Sequence, residues 1–319
     1  MTENGKSMTL SEHLQELRRR LIYSLAAVAV AFVVCLFFQD DLMSILTHPH
    51  RVAMERVYQK NQRASVSANS PGKDREGEKS PEDEFAGIVA KIEPNQPEVA
   101  QLFKILRARQ QDFQKKEDTR RTRLKVLKYG ESFMQYLKVC IIVAVIIASP
   151  FILLQGWKFI GAGLYQKEKK AVIGYIPFSY LLFAIGVAFG YFLLVPLALY
   201  YLAGYGSPEI IEMNITLEYY LSFFLMFTIA LGFVFQTPLV MIFLAKVGVF
   251  SPKDYAKVRK YVIVAAFIVG AAVTPGPDVV SQVLLAFPLL GLYELGIALS
   301  RISAAKKAKS EAQEAKEEV

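Results

Sequence analysis

The apolar residues of this chain fall in blocks of roughly 17 to 25, the length a helix needs to cross about 30 Å of hydrocarbon. No other feature of its 319 residues limits the fold so tightly. Inside lipid each segment must pair its own backbone N–H and C=O groups, so such blocks are helices. The period-two alternation of an outer-membrane barrel strand is absent. The fold class expected is therefore an all-α membrane protein. The blocks predict six spans, over 21–38, 133–156, 171–202, 218–244, 261–274 and 279–300. The third carries Pro196, a candidate kink, and the last two are short.

The placement of lysine and arginine sets the expected orientation. Arg18, Arg19 and Arg20 close the N-terminal segment 1–20, where Ser11 ahead of Glu12 and Glu16 suits the start of an interfacial helix. Segment 157–170 holds Lys158, Lys167, Lys169 and Lys170, and segment 245–260 holds Lys246, Lys253, Lys257, Arg259 and Lys260. The tail 301–319 is basic as well, and its Ala-rich, charged composition reads as a frayed or disordered helix. The loop 203–217 has Glu209 and Glu212 but no Lys or Arg, and the turn 275–278 has only Asp278. The four basic segments belong together on the cytoplasmic side, with both termini inside. Segment 39–132 is longer than the loops that obey the charge rule. It reads as an outer loop whose centre, 65–84, is rich in Ser, Pro, Gly and charge and so disordered. Beyond that centre, Val99, Leu102, Phe103 and Leu106 have helical spacing.

Chemistry-bearing residues are few. Cys35 and Cys140 sit within apolar runs, where cysteine behaves as a small hydrophobe. His13, His48 and His50 form no zinc-binding pattern, and no nucleophile motif with a base in reach is present. Catalysis, a metal, a cofactor and nucleic-acid binding are not expected. No cleavable signal peptide is expected either, since the first apolar run lacks a small-x-small site. Ionisable or strongly polar groups inside a membrane mark a cavity, a partner or a pathway. Here they are Lys138, Asp278 and Glu294, with Gln155, Gln236 and Gln282. Gln236 lies mid-span and cannot titrate, which counts against a proton-relay transporter. A small-solute transporter or channel remains the alternative, although no internal repeat supports it.

Two acids stand inside the basic cytoplasmic clusters, Glu16 and Glu168. Either they balance local charge, or they form a carboxylate pair that receives an external cation. A carboxylate accepts an arginine fork through two parallel hydrogen bonds, a geometry lysine cannot reproduce.

At these residues the sequence resembles the TatC family of the twin-arginine protein translocase. His13-Leu14-x-Glu16-Leu17-Arg18-x-Arg20-Leu21 is similar to its N-terminal motif. Ser149-Pro150-x-Ile152-Leu153-x-Gln155-x-Trp157-x-Phe159-Ile160, then Leu164-Tyr165-x-x-Glu168, resembles its second span and first cytoplasmic loop. Thr274-Pro275-x-Pro277-Asp278-Val279-x-Ser281-Gln282 and Tyr293-Glu294-Leu295-Gly296 resemble its last turn and span.

The resemblance implies a concave, glove-like bundle of six helices. It implies a receptor for signal peptides bearing two arginines, at the core of a machine that moves folded proteins on the proton gradient. TatA-type and TatB-type single-span partners and self-association follow from it. By the same resemblance the signal site holds Glu16 and Glu168 with Arg18 and Phe159, and Pro49 matches a family proline beyond the first span. Two departures stand out: segment 39–132 is long for the family, and Gln236 stands where glutamate is frequent.

Overall fold

The computed structural model describes residues 10–68, 97–121, 124–163, 166–203, 215–273 and 278–317. Among them the secondary structure is helical apart from one isolated parallel bridge, Lys125 to Thr216. The helices are α1 (Leu10–Phe37), α2 (Gln39–Ala68), α3 (Pro97–Arg121), α4 (Glu131–Ala162), α5 (Gln166–Phe189), α6 (Val195–Ala203), α7 (Leu217–Val234), α8 (Thr237–Val247), α9 (Pro252–Val273) and α10 (Val279–Glu317). Among the described residues five stretches are long and apolar enough to cross a membrane: Ser11–Phe37, Glu131–Ala162, Ile173–Ala203, Leu217–Val247 and Val279–Ala305. The expected fifth span lies on α9, which opens with a charged turn. Its apolar part, 261–273, extends about 20 Å at 1.5 Å per residue, short of the hydrocarbon thickness.

Several helices outrun the boundaries read from the sequence. α1 absorbs the interfacial segment into one continuous helix. α4 continues to Ala162, and α5 begins at Gln166 within the expected cytoplasmic loop. α10 runs through the tail to Glu317. The added turns of α5 and α10 are rich in Ala, Glu, Lys and Gln, which propagate a helix at little cost whether or not lipid surrounds them. Among its described residues, segment 39–132 contains the helices α2 and α3. α2 covers 65–68 of the stretch read as disordered, and the rest of that stretch, from 69, lies outside the described residues. α3 takes in the helical spacing at Val99, Leu102 and Leu106, and Leu102 and Leu106 stay exposed.

Spans three and four make the centre of the bundle. Phe183, Leu221, Phe224, Leu225, Phe227, Leu231 and Leu285 are fully buried there. α5 crosses α7 closely because Gly186 and Gly190 face it: a Cβ at Gly186 would stand 2.7 Å from the Leu231 carbonyl oxygen. Small residues four apart admit this kind of backbone approach in lipid. Between α5 and α6 the helix widens into a π turn, Gly190–Leu194. Pro196 follows directly and has no N–H to donate to Phe192, so the wider turn absorbs the break where the sequence predicts a kink.

The fourth span is interrupted too. α7 ends at Val234, and α8 restarts at Thr237 with Pro238 in its first turn, where a missing N–H costs nothing. α8 then stops at Gly248, whose φ of 86° suits glycine alone, and Gly248 and Val249 donate back to Ala245 and Leu244. α1 packs along α4, α10 packs against α8 and α9, and α2 lies over α6. The end of the long segment is tied down at its base. Lys125 N–H donates to the Ile215 carbonyl at 3.1 Å, and the Glu131 carboxylate accepts from Leu127 and Lys128.

Candidate functional site

The first two turns of α1 lie against the last turns of α4, so Glu16 meets residues far along the chain. Arg20 sits one turn beyond Glu16, the spacing at which helical side chains touch. Its Nε–H donates to Glu16 Oε1 at 2.8 Å, and its Nη2 donates to the same oxygen. Its Nη1 reaches across to Gln155 Oε1 of α4 at 2.9 Å. The Glu16 and Arg20 side chains are only 19% and 24% exposed, which shields the contact from water. One turn toward the N-terminus, the His13 ring stacks on Phe159 with centroids 4.4 Å apart. The same imidazole lies against Gly163, where a Cβ would come within 3.4 Å of it. Arg18 points outward and is exposed.

Glu168 falls in the first turn of α5, and its side chain lies outside the described residues. It lies five chain steps from Gly163, a reach of at most about 18 Å. Glu16, Phe159 and the backbone of Glu168 thus belong to one end of the bundle.

The other candidates are scattered, each with its own local partner. Pro49 lies within α2 and cannot donate to Ile45. The Tyr191 hydroxyl donates to that free carbonyl at 2.8 Å, and the Tyr220 hydroxyl donates to Leu46 O at 2.5 Å. Next to it, His50 is buried edge-on to Tyr220, and burial pulls its pKa down to about 4. Gln236 is buried against Ser179: it accepts the Ser179 hydroxyl at 2.6 Å and donates to the Ser179 carbonyl at 2.9 Å. It therefore turns toward α5, away from the carbonyl that Pro238 frees one turn back.

Asp278 caps α10 by accepting the Ser281 N–H at 2.6 Å. Gln282 donates to the Phe267 carbonyl of α9 at 2.8 Å, and Glu294 takes Arg259 of α9 in an exposed ion pair at 2.7 Å. Lys138 donates to Ser222 of α7 at 2.6 Å. Among the described residues no cluster of His, Cys, Asp or Glu forms a metal centre.

Sequence reasoning passed over Arg20, Ser179, Tyr191 and Tyr220. Arg20 was within reach of it, since an acid and an arginine four apart on a helix are neighbours. The other three act on carbonyls or amides of distant helices, for which the linear pattern carries no signal.

An all-helical bundle with at least five stretches long and apolar enough to cross a membrane, and a carboxylate clasped at one end of it, defines a multi-span membrane protein. The family model described as Sec-independent protein translocase protein (TatC) matches residues 12–288, and the chain belongs to the TatC family, whose members are translocase components rather than enzymes. A TatC of Desulforapulum autotrophicum is 32% identical over 96% of this chain and 89% of its own length. One from Aquifex aeolicus is 33% identical over 94% of this chain and 98% of its own length. A crystal structure of the twin-arginine translocase receptor TatC superposes with a TM-score of 0.64 at 32% identity, covering 92% of this chain and all of that one.

Proposed function

We propose that this protein is the receptor and core of a twin-arginine translocase in the bacterial inner membrane. It binds the arginine pair of signal peptides on folded preproteins at its cytoplasmic face and nucleates the translocation complex. Glu16 and Glu168 receive the two guanidinium groups, with Arg18 and Phe159 beside them. The spans number six with both termini in the cytoplasm, so that α9 counts as a short fifth span. TatA-type and TatB-type single-span proteins and further copies of the chain assemble around it, and the proton gradient drives transport.

One observation carries this reading. The Glu16 carboxylate is already held by a guanidinium in a largely water-excluded setting, at the end of the bundle that also holds the start of α5. A carboxylate so placed suits a second planar cation, and shielding from solvent strengthens the contact. Family membership and the solved receptor structure support the same assignment.

Crosslinking a twin-arginine signal peptide to the purified protein tests it. Glu16→Lys and Glu168→Lys each abolish crosslinking while leaving membrane insertion intact. Loss of one charged hydrogen-bond partner alone amounts to about 1.5–3 kcal/mol, or roughly ten- to hundredfold in affinity. Parental binding by both charge reversals would place the site elsewhere.

A further inference from the structure

The clasp on Glu16 is one-sided. Nε and Nη2 of Arg20 both engage Oε1, and among the described residues Oε2 accepts no hydrogen bond. An ionised carboxylate has about four acceptor positions on its two oxygens, so among the described residues half of its capacity stays open. The guanidinium that makes the clasp is itself anchored across the helix interface, through Nη1 to Gln155 of α4. Arg20 is thus fixed at both ends and cannot swing away without breaking contacts on two helices. An arginine that served only as a surface counter-ion would need neither the second helix nor the partial burial.

We propose that Arg20 is a positioning residue of the signal site. It holds Glu16 by one oxygen, presents the other to the incoming peptide, and with Gln155 sets the preference for arginine over lysine. This rests on the assignment of Glu16 to the signal site above. The preference follows from what Arg20 places beside the open oxygen. A guanidinium is planar and weakly hydrated, and it can aim two adjacent N–H donors at the one open oxygen, as Arg20 itself does at Oε1. An ammonium is compact and strongly hydrated, so next to the fixed positive charge of Arg20 it must shed water and gains one point contact in return. The carboxylate alone attracts any cation. The carboxylate with Arg20 attached selects for shape and hydration. The opposite possibility is that Arg20 merely fills the site until a peptide displaces it, and that predicts the opposite sign when Arg20 is removed.

The test uses the full-length protein in lipid nanodiscs and two synthetic signal peptides, one with Arg-Arg and one with Lys-Lys at the same positions. Affinities for both are measured in the parent, Arg20→Gln, Arg20→Lys, Gln155→Leu and Glu16→Gln, with thermal unfolding of each to verify folding. Arg20→Gln weakens Arg-Arg binding tenfold or more and brings the ratio of the two affinities toward one. Arg20→Lys fails to restore that ratio, because one ammonium cannot clasp Glu16 and reach Gln155 together. Gln155→Leu shifts the ratio in the same direction by less.

A purely structural role for Arg20 would lower both affinities alike and leave the ratio untouched, which overturns the proposal. Tighter Arg-Arg binding by Arg20→Gln overturns it in favour of a displaced occupant. If Arg20→Gln does not fold, an intact parental ratio in both Arg20→Lys and Gln155→Leu overturns it. Parental binding of both peptides by Glu16→Gln defeats the site assignment itself. Loss of binding in Glu16→Gln with an unchanged ratio in the Arg20 variants defeats only the role of Arg20.

Discussion

Gln236 spends both ends of its amide on one residue of a neighbouring helix, accepting from the Ser179 hydroxyl and donating to the Ser179 carbonyl. Each such bond between helices in lipid contributes about 0.6 kcal/mol on average and up to about 2. Leucine at 236 removes both and leaves the buried Ser179 hydroxyl to find a partner. Gln236→Leu therefore lowers the melting temperature in detergent and weakens transport, while peptide binding at the Glu16 end of the bundle holds. Gln236→Glu keeps an acceptor for the hydroxyl and retains transport. Thermal unfolding and export measured side by side decide it, and a Leu variant with parental melting and full export would mean that Ser179 is satisfied without Gln236.

At the scale of whole elements, α2 is the helix with the most to lose from single atoms. It lies over α6 outside the five long apolar stretches, and its proline opens a gap in its own hydrogen-bond ladder. The hydroxyls of Tyr191 and Tyr220 enter there from spans three and four, so the gap becomes the attachment point. Each bond amounts to about 1 kcal/mol. Tyr191→Phe and Tyr220→Phe together raise amide hydrogen exchange across 45–53 while leaving α4 and α7 protected. Unchanged exchange in the double variant would assign the docking of α2 to its apolar contacts, chiefly Leu46, Ala53 and Met43.

For the whole molecule, the asymmetry of basic residues makes a directional prediction. In a variant lacking Cys35 and Cys140, a membrane-impermeant thiol reagent added from outside should modify Arg75→Cys and spare Lys257→Cys. The reverse pattern would invert the topology and move Glu16 to the outer face, away from any cytoplasmic peptide. The 261–273 stretch of α9 is too short to span an unperturbed bilayer, so it crosses only where the bilayer is locally thinned.

The helical class, the long apolar stretches and the family motifs were legible in the linear pattern. Hydrophobic length, lysine and arginine placement and short motifs are local properties, and lipid enforces them on any chain that spans it. Helix ends were less legible, because Ala, Lys, Glu and Gln carry a helix past the edge of the membrane without any apolar signal. The partners were not legible at all. Gln236 and Ser179 are 57 residues apart, and Tyr191 and Ile45 are 146 apart. Which polar group meets which carbonyl depends on how closely two helices cross. That distance is set by Gly186 and Gly190 against α7, and by the packing of every other span around them. The sequence by itself determined that this is an all-helical, multi-span membrane chain of the TatC family. Only the tertiary structure decided that Glu16 is held by one oxygen and that Pro49 is a docking point, because both depend on side chains brought together by helix crossing.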